Sequence, residues 1–145
     1  ADLRDQALRI LAQRDHSCQE LRGKLLARGG SAEALEPLLQ DLVRLGYLDD
    51  HRFAVLFARD RIRRGQGRLR IVQDLVARGI PRDLAELVLE QESPEGETDR
   101  AEALARLRAG QGRSPESTAR FLAGRGFAAS TIRAVLDSVC RAEDP

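Results

Sequence analysis

Leu75-Val-Ala-Arg-Gly-Ile80 is echoed by Leu122-Ala-Gly-Arg-Gly-Phe127 and by Leu25-Leu-Ala-Arg-Gly-Gly30. One Leu-x-x-Arg-Gly phrase therefore recurs at intervals of roughly 50 residues, a period that points to a repeat architecture. The residues that follow agree in phase. Leu35, Ala85 and Ile132 correspond, as do Leu38, Val88 and Val135, and then Leu39, Leu89 and Leu136. Their i, i+3, i+4 spacing is one face of a helix. Gly65-Gln-Gly67 and Gly110-Gln-Gly112 read as a second echo.

Helix punctuation falls in step with the repeat. Ser17-x-x-Glu20 is a capping box, and Ser114-Pro115-Glu116 supplies an N-cap, a first-turn proline and an acid for the helix dipole. Ser31 and Ser130 are further N-cap candidates. Gly29, Gly46, Gly79 and Gly126 end apolar-periodic stretches and read as left-handed C′ glycines. Arg28, Arg78 and Arg125 precede such glycines, where a cation complements the helix C-terminus. Helices are expected at about 3–15, 17–28 and 32–45, then 50–64, 68–78 and 82–92, then 98–109, 115–125 and 129–142. No alternating stretch supports a strand. The expected fold is all-α, with three tandem three-helix repeats at 1–48, 49–93 and 98–145 in an elongated, curved array. Glu92-Ser-Pro-Glu-Gly-Glu97 reads as a linker. Groups this small barely bury a core, so they are expected to lean on one another as in a solenoid.

Composition narrows the class. The 145 residues are 42% hydrophobic and 32% charged, which suits a folded domain. Aromatics make up only 3%, so the core must be largely Leu, Ala, Val and Ile, and the five rings (Tyr47, Phe53, Phe57, Phe121 and Phe127) are expected in packing roles. No apolar run is long enough to span a bilayer, and the charged N-terminus lacks a signal peptide's apolar region. Cys18 and Cys140 offer no disulfide framework, which fits a reducing cytoplasm. The sequence contains no Met, so trimming of the start is expected.

A net charge of +1 hides a segregation. Arg59, Arg61, Arg63, Arg64, Arg68 and Arg70 face a single acid, Asp60, in their stretch. Asp83 to Glu102 is acidic apart from Arg100. Lys24 is the only lysine, and Arg suits phosphate or carboxylate forks better than Lys, with codon bias as the bland alternative.

Catalytic and metal readings fail. Gly23-Lys24 is followed by Leu25 where a phosphate loop needs Ser or Thr, and the Gly-Gln-Gly turns lack a third glycine and a preceding strand. His16 and His51 stand apart from ligand spacings and read as surface residues. Asp49-Asp50 reads as a helix cap, and no nucleophile is paired with a base. No enzyme activity, cofactor or metal is expected.

Several phrases stand together in order along nearly the whole chain: Arg14-x-x-Ser17-x-x-Glu20-Leu21; Gly46-Tyr-Leu-Asp-Asp-His-Arg-Phe-Ala54; Gly65-x-Gly67 with Arg70-Ile71, Leu75 and Gly79-Ile80; and Arg120-Phe-Leu-x-x-Arg-Gly-Phe127 with Ile132, Val135 and Leu136. This series resembles the bacterial RecX family, the regulators of the RecA recombinase. The resemblance implies three tandem three-helix repeats. It also implies binding to the RecA–single-stranded DNA filament, limiting its growth or promoting its disassembly, with no catalytic site or cofactor. One departure is Arg68, where relatives often carry a helix-starting proline. Another is Arg113-Ser114 before Pro115, read as a slightly longer turn than in group two.

The expected contact set is Arg61, Arg63, Arg64, Arg68 and Arg70, with Arg106, Arg108 and Arg113 around the equivalent turn of group three. The partners are the RecA filament and single-stranded DNA, met by a cytoplasmic monomer without membrane attachment. Two rivals are a helix-turn-helix-like DNA reader and a helical scaffold unrelated to DNA. The first suffers because the helices after the Arg-Gly turns carry Glu33, Glu36, Asp83, Glu86 and Glu90, which phosphates repel.

Overall fold

A computed structural model describes residues 2–143, which form nine α-helices and no strand. They are α1 (Leu3–Gln13), α2 (Cys18–Ala27), α3 (Ala32–Arg44), α4 (Asp50–Arg63), α5 (Arg68–Ala77), α6 (Arg82–Glu92), α7 (Thr98–Gly110), α8 (Pro115–Gly124) and α9 (Ala129–Glu143). None is long and apolar enough to cross a membrane.

The caps explain the starts. Ser17 and Glu20 form the reciprocal capping box of α2. Ser31, Asp49 and Ser114 accept from the backbone N–H three residues on, as does Asp2 at α1. Ser130 differs from expectation: α9 begins at Ala129, so this serine lies inside the first turn.

The Arg-Gly phrase explains the ends of α2, α5 and α8. At each, the glycine N–H returns to the carbonyl three residues back and the next N–H to the carbonyl five back. Gly79 donates to Val76 and Ile80 to Leu75, and Gly126 donates to Ala123 and Phe127 to Leu122. This paired pattern needs a left-handed residue, and Gly29, Gly79 and Gly126 have φ of 92°, 91° and 93°.

Gly65 and Gly112 close α4 and α7 in the same way. That corrects the second echo. Gly110 lies within α7, so the true counterpart of Gly65-Gln66-Gly67 is Gly112-Arg113-Ser114. The two turns have equal length, and the third group has no longer turn.

Helix packing lies within the triplets. One core joins Ala7, Ile10, Leu21, Leu25, Leu35, Leu39, Leu42 and Leu48. A second is centred on Phe53, Ile71, Leu75, Ile80 and Val88, and a third on Ala101, Ala105, Leu122, Phe127, Ile132 and Val135. The groups do not lean on one another through a shared apolar core; each closes its own. The total accessible surface is 8622 Å². A compact monomer of this mass would expose about 7,400 Å².

Polar junctions join the triplets instead. Between the first two, the N-cap of α2 meets the C-terminus of α5: Ser17 Oγ donates to Arg78 O at 2.6 Å, and Gln19 Nε2 to Ala77 O at 3.3 Å. The N–H of Cys18, first residue of α2, donates to Asp50 Oδ1 at 2.8 Å. Burial, with Asp50 beside it, pushes the Cys18 thiol up to about 11.

The second junction repeats the pattern with main-chain atoms. Gly67 N donates to Arg125 O at 2.8 Å and Leu69 N to Gly126 O at 3.0 Å. Glu97 uses both carboxylate oxygens, accepting from Arg68 N at 2.7 Å and Ala128 N at 3.0 Å. Cys18 and Arg68 are thus equivalent first-turn donors, and Asp50 and Glu97 equivalent acceptors.

Two expectations about single residues fail. His16 is buried, not a surface residue. Its Nδ1 lies 3.0 Å from Arg14 O, and Lys24 Nζ donates to its Nε2 at 2.7 Å, which fixes the neutral ring with the proton on Nδ1. Tyr47 is 50% exposed and packs no core; the neighbouring Leu48 fills that role.

Candidate nucleic-acid interface

The arginines expected to act together divide into three environments. Arg61 is turned inward. Its guanidinium lies 4.5 Å from the Phe57 ring centre, its Nε is buried without a hydrogen-bond partner, and Asp60 stands 3.8 Å away. Arg78 stacks on the same ring at 4.7 Å. Phe57 is therefore covered by two cations and offers no platform for a base.

Arg63 and Arg64 close α4 and point outward, with side chains 77% and 64% exposed. Both pair with Asp60, at 3.8 and 3.1 Å, so one carboxylate serves three guanidinium groups. Among the described residues, Arg59 is the one guanidinium of this run in an ion pair with the acidic stretch, gripping Glu92. The acidic stretch therefore leaves most of the basic charge uncompensated.

Arg70 belongs to the second junction. It donates to Gly124 O at 3.1 Å and stands 3.9 Å from Asp74. Arg68 lines a cleft at that junction together with Glu97 and residues at the start of α9.

In the third triplet the pattern recurs. Arg108 lies 4.4 Å from the Phe121 ring centre and donates to Ser117 Oγ at 2.8 Å and Thr118 Oγ1 at 3.1 Å. Arg125 covers the same ring at 5.1 Å. Neither pairs with a carboxylate among the described residues. Arg106 is tied to Glu102 at 2.9 Å, and Arg113 is exposed without an ion pair among the described residues.

Arg125 connects the two sets, because its Nη1 donates to Arg64 O at 3.0 Å. The end of α4, the start of α5, the α8–α9 turn and the end of α7 thus carry Arg63, Arg64, Arg70, Arg108 and Arg125 across one junction. Arg61 and Arg106 are held by their own triplets, and Arg68 lies apart. Sequence reasoning assigned Arg125 only to its own helix end. The missed signal was the phase of the repeat, which puts each Arg-Gly turn against the preceding group.

This surface has the chemistry of an anion contact. Guanidinium groups stacked on a ring have their orientation fixed before a ligand arrives, and the edge donors not already bonded to protein can meet oxygen acceptors. A polyphosphate backbone or an acidic protein face matches it.

Comparison with known proteins supplies the lineage. Residues 4–42 match the description "RecX, first three-helix domain", and residues 49–89 match "RecX, second three-helix domain". The regulatory protein RecX of Chromohalobacter salexigens is 42% identical over 133 residues, covering 90% of this chain and 88% of the relative. That of Thermus thermophilus is 46% identical over 123 residues, covering 83% and 80%. The crystal structure of RecX from Lactobacillus salivarius superposes with a TM-score of 0.84 at 18% identity, covering 96% of this chain and 95% of its own. With family descriptions, relatives and fold in agreement, the chain belongs to the RecX family.

Proposed function

We propose that the protein is a regulator of the RecA recombinase that binds the RecA–single-stranded DNA filament, limiting its growth or promoting its disassembly. In this reading it is a cytoplasmic monomer without catalytic activity. The segments 1–48, 49–93 and 98–145 serve as successive contact units along the filament. The single observation that carries the proposal is the arginine surface spanning the second junction, where Arg125 joins Arg63 and Arg64 to Arg108 and Arg70. A nucleoprotein filament presents phosphate and acidic protein surface in a groove, and a surface spread over two triplets meets it at more than one point. The helix-turn-helix alternative loses ground on the exposed acids of α6, Asp83 and Glu90, which would face phosphate.

The test is RecA ATPase and strand exchange on single-stranded DNA, with and without the protein. Inhibition is expected; a scaffold unrelated to recombination leaves both unchanged. Reversing Arg63, Arg64 and Arg113 to Glu should weaken inhibition with helicity intact. Binding by direct phosphate contact should fall by about 0.7 log units per log unit of salt for each phosphate met.

A further inference from the structure

At the second junction, a cleft of about 600 Å³ is lined by neither Arg64 nor Arg125. Its walls come from α5, α6, the 93–97 segment and the starts of α7 and α9. Leu69, Val72 and Leu89 supply an apolar floor, and Leu69 is 58% exposed although it lies beside the buried Val72. An apolar side chain left open at the base of a cleft is a ready contact for another apolar group.

The charges around this floor are unevenly satisfied. Glu97 is occupied by two backbone N–H groups, and Glu86 lies 4.0 Å from Arg82. Arg100 is different. It donates to Ser93 Oγ at 2.8 Å and Gly96 O at 3.4 Å, yet its Nε is buried without a partner and no carboxylate lies within ion-pair distance among the described residues. Burial lowers its pKa, the mark of a cation whose lost hydration is not replaced. The Arg68 side chain, also in the cleft, has no ion pair among the described residues.

From the apolar floor, the under-satisfied Arg100 and the free Arg68 side chain, we infer that this cleft binds a short peptide segment of a protein partner, one that offers an acidic side chain next to an apolar one. The carboxylate meets Arg100 and Arg68, and the apolar side chain covers Leu69. A nucleic-acid backbone fits less well, because its phosphates bring no apolar group to cover Leu69, Val72 and Leu89. The site is distinct from the arginine surface assigned to the filament, and its test needs no RecA.

The experiment is amide NMR of the full chain titrated with the capped peptide Gly-Glu-Leu-Glu-Leu-Gly. Two control peptides carry Gln for Glu, or Ser for Leu. Saturable shifts are expected at Leu69, Val72, Arg100 and Thr131, with both controls about tenfold weaker, the effect of losing one charge-assisted hydrogen bond or one apolar contact. Because Arg100 also holds the 93–96 segment, Leu69→Glu is the informative variant: it sits on an exposed position, should leave the melting temperature unchanged and should abolish the shifts. The inference is overturned if the peptide shifts only the Arg63–Arg64–Arg125 surface, if the Gln control binds equally, or if no shift saturates. It is equally overturned if oligo-dT moves the cleft amides more strongly than the peptide does.

Discussion

At the scale of single residues, the three Arg-Gly turns look alike in sequence but do different work. A Cβ added at Gly79 would run into the Gln19 side chain, and one at Gly126 into Arg70, whereas no described atom lies within 4 Å of the same position at Gly29. All three have positive φ, so Ala costs each about 1–2 kcal/mol from strain alone. Gly29→Ala should stop there. Gly126→Ala should cost more, because the crowding atoms include the Arg70 backbone. Thermal melts of the two variants test this, and equal losses would mean the second junction contributes nothing to stability. The sequence predicts these glycines as helix ends from their local spacing. It could not reveal the junction contacts, because the acceptors at Arg78 and Arg125 are main-chain carbonyls, which every residue has.

His16 carries the pH dependence at this scale. Burial, reinforced by nearby Arg14 and Lys24, lowers its pKa below the ordinary 6.5. Above 6.5 the ring is neutral in both folded and unfolded chains. Below it the unfolded chain takes up the proton first, so stability falls with pH until the folded-state pKa is passed. Glu20 acts in the same direction lower down. Burial pulls its pKa up, but hydrogen bonds from Arg14 and the Ser17 N–H more than offset this and hold it below 4.5. Its contribution is present above 4.5 and is lost as pH falls through the folded value. Denaturant melts at pH 7 and pH 5.5 should show a loss that His16→Gln largely removes; an unchanged loss would point to another group.

At the scale of elements, α4 and α5 illustrate how far pattern reading reaches. Phe53 and Phe57 are i, i+4 and are expected to pack; their rings lie 5.8 Å apart. Phe53 is buried, but Phe57 is only half-buried and is roofed by Arg61 and Arg78. Phe53→Ala should therefore cost about 3–5 kcal/mol, and Phe57→Ala less. Chemical denaturation of both variants decides it. Helix periodicity marks which face is apolar but not which cations cover its edge, and Tyr47, in the turn after α3, obeys no periodicity at all.

The start of α5 shows a second limit. A proline at Arg68 would suit the first helical position. Here, however, the Arg68 N–H reaches Glu97, and proline has none to give. Arg68→Pro is expected to leave helicity unchanged yet raise amide exchange at Leu69 and Ala128. Unaltered protection at both would show that Glu97 does not hold the junction.

At the scale of the whole molecule, the repeat was legible because its apolar phase recurs, and so was the all-helical array. What was not legible was that the triplets are stitched by polar atoms instead of sharing a core. Apolar periodicity reports only what each group buries inside itself. Three separate cores and a large accessible surface predict an extended solution shape. Scattering should give a radius of gyration clearly above the roughly 15 Å of a compact chain this long. A value at that level would mean the junctions fold the array back on itself.

The junctions also bear on how such an array could grow or be rebuilt. Each uses a first-turn N–H, from Cys18 or Arg68, to engage an acid at the start of the next triplet. The corresponding residue of the third triplet is Pro115, which has no N–H to give. A copied triplet grafted behind it would find the seat one donor short. Exposed side chains of α5 and α8 that make no junction contact can change while these stitches persist, so partner preference can change without re-engineering the framework. Pro115 is then the residue an engineer would replace first to lengthen the array.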